Sequence, residues 1–313
     1  MERPFINPRG DRADVTLSIS AKARLVGGAA LAALALGGMS RGGPPPIAPP
    51  IDPPAAVGGA YLAQVADCAA CHTTPGGAPF AGGRPINTPF GVVYSTNITP
   101  DTNTGIGQWT AAEFRAALKD GKGHAGRRLY PAMPYPYYTR MPDDEVEAIR
   151  AYLMTVAPVH AEAPANTLPF PFNIRLLMKV WNALNFRRGE FQPEPGQSEA
   201  WNRGAYIVTG PGHCGACHTP KTALGGDRRG QALKGGEVEF EHAPNLTGEP
   251  RTGFSRWSSD DIVTYLRTGA NRHTEANGAM QDVVDYSTSK LSDEDLHAIA
   301  VYLKTLPGAP PNR

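Results

Sequence analysis

The sequence predicts an all-α protein in which one helical unit occurs twice in tandem, with a linker that carries an amphipathic helix of its own. Three observations predict it. Segments of the two halves fall into register at an offset of 145 to 150 residues. Each half carries apolar stripes at helical spacing with explicit start and stop signals. All four cysteines fall into two copies of one pattern. At 313 residues the chain is long enough for two domains of about 100 to 150 residues each.

Taken in order, Arg3, Arg9, Arg12, Lys22 and Arg24 precede an uncharged apolar run of 15 residues from Leu25 to Met39. That run is shorter than the roughly 20 residues that span a bilayer. Residues 1–40 are therefore expected to be a signal peptide or an uncleaved N-terminal anchor, with cleavage after Ala33-Leu34-Ala35 or nearer Ser40. A Pro-rich extended linker follows over 41–54.

The first domain is placed at 55–160 and the second at 199–309. Gly59-Ala60-Tyr61-Leu62 matches Gly204-Ala205-Tyr206-Ile207, and Asn97-Ile98-Thr99 matches Asn245-Leu246-Thr247. Trp109-Thr110-Ala111-Ala112-Glu113 matches Trp257-Ser258-Ser259-Asp260-Asp261, each a hydroxyl facing an acid three residues on, which starts a helix. Gly121 and Gly269 stop those helices. A closing helix then carries Val146, Ile149, Tyr152 and Leu153 in one unit, and Leu296, Ile299, Tyr302 and Leu303 in the other. About three main helices per unit result. Gly59 and Gly204 are expected where the first helix crosses the closing helix, beside Tyr152 and Tyr302, because a residue without Cβ permits close approach.

Between the units, residues 161–198 form an interdomain linker with no counterpart in either repeat. Ile174, Leu177, Met178 and Trp181 recur at helical spacing, with Leu176, Val180 and Leu184 widening the apolar surface and Arg175, Lys179 and Asn182 forming a polar stripe. This helix is expected either to pack between the domains or to dock on a partner or a membrane surface through a face that exposes Trp181.

The chemistry resides in Cys68-Ala69-Ala70-Cys71-His72 and Cys214-Gly215-Ala216-Cys217-His218. Two thiols separated by two residues and followed at once by His form the attachment signature of c-type haem. A zinc site would need further ligands, and no other cysteine exists. The predicted cofactors are two covalently bound haem c groups, held by Cys68, Cys71, Cys214 and Cys217, with His72 and His218 on the irons. Such attachment takes place outside the bacterial cytoplasmic membrane, which agrees with the exported N-terminus. For the sixth iron position the repeat selects two methionines. Met133 lies 61 residues after His72 and Met280 lies 62 after His218. None of His124, His160, His213, His242, His273 and His297 is read as recurring between units, and none is assigned as a ligand. Arg84, Arg127 and Arg128 are candidate propionate partners. The near balance of 30 basic against 29 acidic residues excludes a nucleic-acid footprint.

With these motifs, and with Gly105-Ile106-Gly107-Gln108-Trp109, Leu129-Tyr130-Pro131-Ala132-Met133-Pro134-Tyr135 and Trp201-Asn202-Arg203-Gly204-Ala205-Tyr206, the chain resembles the cytochrome c subunit of membrane-bound bacterial dehydrogenases acting on alcohols, gluconate and sorbitol. The resemblance runs from about Gly58 to Leu306. It implies a class I cytochrome c fold in each unit and His/Met ligation of both irons. It further implies a non-catalytic subunit that passes electrons from a catalytic dehydrogenase subunit to ubiquinone, a terminal oxidase or another cytochrome, on the periplasmic side of the cytoplasmic membrane and associated with or anchored to it. Better known members carry a third haem unit, and no third Cys-x-x-Cys-His occurs here; the acceptor is left open. The competing class is a dihaem enzyme, a peroxidase or a sulfur-compound dehydrogenase, with one open or labile iron. A methionine in each unit favours the electron carrier, since it closes the coordination sphere and raises the potential.

Overall fold

The computed structural model describes residues 53–308. The leader at 1–40, nearly all of the Pro-rich segment at 41–54 and the last residue of the 199–309 unit lie outside the described residues. Among the described residues no helix is long and apolar enough to cross a membrane.

The first unit runs α1 (Pro53–Val65), α2 (Cys68–His72), a hairpin of β1 (Pro85–Thr88) and β2 (Gly91–Tyr94), α3 (Ala111–Asp120), α4 (Tyr135–Tyr138) and α5 (Asp143–Leu153). A linker with α6 (Met178–Asn185) leads to α7 (Glu199–Thr209), α8 (Gly215–His218), β3 (Lys234–Val238), β4 (Glu241–Asn245), α9 (Ser259–Thr268), α10 (Gly278–Tyr286) and α11 (Asp293–Thr305). The three long helices expected per unit correspond to α1, α3 and α5, then α7, α9 and α11, and the second unit has in α10, of 9 residues, a fourth of nearly the length of α9. To these the structure adds the short antiparallel hairpins β1–β2 and β3–β4. Four- and five-residue strands containing Gly or Pro leave no alternating pattern to read.

The start and stop signals act as their chemistry requires. Thr110 and Ser258 accept from the backbone N–H of Glu113 and Asp261, whose carboxylates accept in return from the two cap residues. Gly121 and Gly269 end α3 and α9 at φ 62° and 77°, where a side chain would be strained. The repeated Asn-x-Thr is a tie: Asn97 Oδ1 accepts from Thr99 N, and Asn245 Oδ1 from Thr247 N.

In each unit the first helix crosses the closing one at the expected glycine. A Cβ on Gly59 would lie 1.8 Å from the Ala148 carbonyl oxygen and 3.0 Å from Tyr152 Cβ; one on Gly204 would lie 1.9 Å from the Ala298 oxygen and 2.9 Å from Tyr302 Cβ. Val146, Ile149 and Leu153 are buried under α1, as are Leu296, Ile299 and Leu303 under α7.

One apolar cluster runs through both units, and their contacts are reciprocal. Tyr61 on α1 donates to Asp295 on α11 at 2.6 Å, and the matching Tyr206 on α7 donates to Glu145 on α5. Helix α10 of the second unit lies against α2 of the first, while Tyr137 on α4 abuts Gly215 on α8. Residue i meets j and its repeat mate returns the contact, the signature of a two-fold interface.

The linker helix corrects one expectation. Trp181 is buried: it meets Tyr135 edge-on, and its indole N–H donates to the Leu224 carbonyl of the second unit. Tyr135 OH donates to Asn182 Oδ1. The indole thus bridges the two units, and the exposed face of α6 is the opposite one.

Candidate functional site

Each attachment turn opens at a residue in the left-handed region, Asp67 at φ 53° and His213 at φ 37°. Asp and His are among the side chains that tolerate this region best. The bend swings the chain from the first helix of each unit into the cysteine turn.

Each proximal histidine is tied in the same way. His72 Nδ1 meets the Thr96 carbonyl at 2.6 Å, and His218 Nδ1 meets the Pro244 carbonyl at 2.7 Å. A carbonyl only accepts, so Nδ1 carries the proton and Nε2 keeps its lone pair. Burial lowers the pKa of both rings, with the carbonyl opposing it. A neutral imidazole of fixed tautomer is the form that ligates iron.

Cys68 and Cys71 line a cavity of the first unit, and all four cysteines are half-buried by surface, with protein crowding them on the remaining sides. Burial pushes Cys68, Cys71 and Cys214 up to about 12 and Cys217 to about 11. A sulfur held neutral is compatible with a thioether, which carries no charge. No group of three or more His, Cys, Asp or Glu stands ready for a metal ion among the described residues.

In the first unit Cys68, Cys71, His72 and Met133 share one cavity of about 1070 Å³, part of it open to solvent. Its walls are mainly apolar, with Ile98, Trp109, Phe114 and Leu118 among them, and Arg175 and Asn166 supply polar groups. A flat, largely apolar macrocycle with a polar edge fits these walls.

Met133 lies in the loop before α4, hydrogen-bonded through its N–H to the Tyr130 carbonyl. Met280 differs: it is half-buried at the third position of α10, inside a helix. Its pairing with His218 rests on register rather than on a cavity wall.

Three expectations change here. His124 and His273 do recur. Each stacks on the repeated tryptophan, Trp109 or Trp257, with centroids 6.0 and 5.0 Å apart, and each reaches the capping-box acid, Glu113 at 2.8 Å or Asp261 at 3.3 Å. They seal the start of α3 and α9 rather than approach a haem site. Arg84 is engaged by Asp282 across the two units. Arg175, read as part of a polar stripe, instead lines the first cavity, lies over the Tyr130 ring at 4.4 Å and donates to the Arg128 carbonyl. Its reach into the first unit left no trace in the sequence, because the linker has no repeat mate for comparison.

Asp67 lines the same cavity, buried, with no hydrogen-bond partner for Oδ1. Burial, then the charge of Asp282, raise its pKa well above the carboxylate range, against the pull of Arg84. A raised pKa means the folded state prefers the protonated acid, so stability is full below the unfolded pKa and falls as pH rises through the folded one. Asp67→Asn, which tolerates the same backbone, is expected to stabilise the protein at neutral pH by about 1 to 3 kcal/mol. The gain should vanish as pH drops into the ordinary carboxylate range. Thermal melts of both proteins at neutral and acid pH check this, and identical melts at neutral pH would remove the penalty assigned to Asp67.

Comparison with known proteins agrees with this geometry. The Cytochrome c family matches residues 56–157 and again 202–307. Over 253 residues the chain is 36% identical to a diheme cytochrome c-type protein of Cereibacter sphaeroides, covering 77% of this chain and 82% of that one. It is 45% identical to the gluconate 2-dehydrogenase cytochrome c subunit of Pantoea cypripedii, over 79% of this chain and 58% of the relative. It is 47% identical to a nicotinate dehydrogenase subunit of Pseudomonas putida, over 80% of this chain and 21% of the relative. The chain thus spans about a fifth of one of these dehydrogenase relatives and under two thirds of the other. With two matched regions, each holding one Cys-x-x-Cys-His turn and one carbonyl-tied histidine, the chain belongs to the cytochrome c family and carries two cytochrome c domains in tandem.

Proposed function

We propose that the chain is the electron-transfer subunit of a dehydrogenase complex, holding one haem c in each domain. In this reading Cys68 and Cys71, and Cys214 and Cys217, carry the thioether links, His72 and His218 take the proximal iron positions, and Met133 and Met280 the distal ones. The group supplies reversible one-electron chemistry when bound. The protein's own part is to hold each imidazole neutral and aligned, to exclude water with apolar walls, and to keep the two sites side by side through the reciprocal interface.

The observation that carries the reading is the first cavity, where both cysteines, the carbonyl-tied His72 and Met133 converge. The named relatives support the partner: a catalytic dehydrogenase subunit as donor, with ubiquinone, a terminal oxidase or another cytochrome as acceptor. The setting is the periplasmic side of the cytoplasmic membrane, the only side on which c-type haem is attached, reached by way of the leader at 1–40.

The test is the haem stoichiometry and ligand-field spectrum of the purified oxidised protein. Two haems per chain and a methionine-to-iron charge-transfer band from both are expected. A high-spin iron that binds cyanide or turns over peroxide would transfer the reading to the dihaem-enzyme class.

A further inference from the structure

Most of the large apolar side chains exposed among the described residues gather on the linker. Phe170 is 79% exposed, Leu176 63%, Val180 58% and Leu184 57%, with Phe172 beside them. Leu224 of the second unit, 54% exposed, extends this surface, since its carbonyl holds the Trp181 indole. Helix α6 is thus two-sided, with Trp181 turned into the protein and Val180 and Leu184 turned away from it. Exposed apolar side chains gathered in one region mark a docking surface.

Charge decides what docks. From Ala163 to Gly189 the chain has no acidic residue and four basic ones, Arg175, Lys179, Arg187 and Arg188. Arg175 is turned inward onto Tyr130, and Arg188 pairs with Asp120. Lys179 and Arg187 are exposed, with no ion-pair partner among the described residues. Leu176, in the turn that leads into α6, and Lys179, Val180 and Leu184 on it recur at helical spacing, and Arg187 follows two residues beyond the end of α6, so one free cation stands among the aliphatic side chains and a second just past them. The core of a protein interface is depleted in lysine. Aliphatic and aromatic side chains edged by cations, without a carboxylate, instead match the boundary between acyl chains and anionic headgroups.

We propose that this face of the linker, Phe170 to Arg187, seats the protein on an anionic lipid surface. The proposal deepens the electron-transfer reading and rests on it for the cellular setting: it names the surface by which the carrier meets its membrane. Because Asn166 and Arg175 of the same linker line the first cavity, the seated face holds that cavity, rather than the second, beside the lipid.

The test is flotation of the haem-loaded full chain with vesicles of phosphatidylcholine, with and without phosphatidylglycerol. Leu176→Glu/Val180→Glu/Leu184→Glu is expected to lose about tenfold or more of its partition on the mixed vesicles. Lys179→Glu/Arg187→Glu should lose a similar amount there and nothing on phosphatidylcholine alone. All substituted side chains are exposed, so both haem spectra and haem-to-haem exchange should match those of the unmodified protein. Variants that float as the unmodified protein does would overturn the proposal and assign membrane binding to the N-terminal segment. Unchanged flotation with lost binding to a dehydrogenase subunit would overturn it in favour of a protein partner. A fault in the electron-transfer reading would appear in the spectra and leave flotation untouched.

Discussion

The Met133→Ala protein is expected to keep two covalently bound haem groups while one iron becomes high-spin or water-ligated. In the proposed reading, attachment depends on Cys68 and Cys71 and ligation on the Met133 thioether, which lines the same cavity. Loss of the methionine should lower the potential of that site by a sizeable part of the roughly 0.8 V that axial ligands span. Met280→Ala is expected to do the same at the second iron. The two differ in what surrounds them: Met133 sits between Pro131 and Pro134 in a loop, whereas Met280 belongs to α10. Replacing Met280 therefore leaves a helix to hold the site closed, and its high-spin fraction should be the smaller of the two. Visible spectra and potentiometric titration read both. An unchanged low-spin spectrum in either variant would return that methionine to the role of a packing residue.

The second large effect is Gly204→Ala. Its new methyl carbon would sit 1.9 Å from the Ala298 carbonyl oxygen and 2.5 Å from the carbonyl carbon, both backbone atoms of α11. No side-chain rotation relieves such a clash, so α7 and α11 must separate along the crossing that organises the second unit. A loss of about 3 kcal/mol or more is expected, at or beyond the upper end of ordinary overpacking. Gly59→Ala should behave alike, at 1.8 Å from the Ala148 oxygen. Gly58→Ala is the control. It lies in α1 with nothing within 4 Å of its added carbon, and should be neutral or stabilising by about 0.5 to 1 kcal/mol through helix propensity alone. Denaturant titration separates the three, and a mild Gly204 variant would show that the helices have room to part.

Most of this fold was legible because its signals are local and occur twice. A hydroxyl facing an acid three residues on, a glycine where the helix must stop and a glycine ahead of a cysteine turn each have one mechanical meaning, and repetition separates them from chance. Where the two copies diverge, legibility fails. His124 and His273 are equivalent in space, but Gly123-His124-Ala125 and Arg272-His273-Thr274 share nothing else to align them. The linker has no second copy at all. With aliphatic residues on both sides of α6, periodicity gives a helix without saying which side is buried. Trp181 falls inward because its indole N–H needs an acceptor, and the Leu224 carbonyl, 43 residues away, supplies it. Such a partner is not visible from the linker's own sequence. The polar edge of the first cavity escaped for the same reason, since Asn166 and Arg175 belong to the linker and not to the repeat.

The reciprocal Tyr61–Asp295 and Tyr206–Glu145 contacts are those of a homodimer written into one chain. Two separate copies of such a unit would part on dilution, since their association would depend on concentration. Joined through residues 161–198, they meet at an effective concentration set by the tether, of millimolar order for short flexible connections. Trp181, anchored on both units, stiffens that tether further. Fusion thus makes the spacing between the two sites a property of the polypeptide, independent of how many copies a cell contains. It also frees each half to diverge, as Met133 on its loop and Met280 on its helix already have.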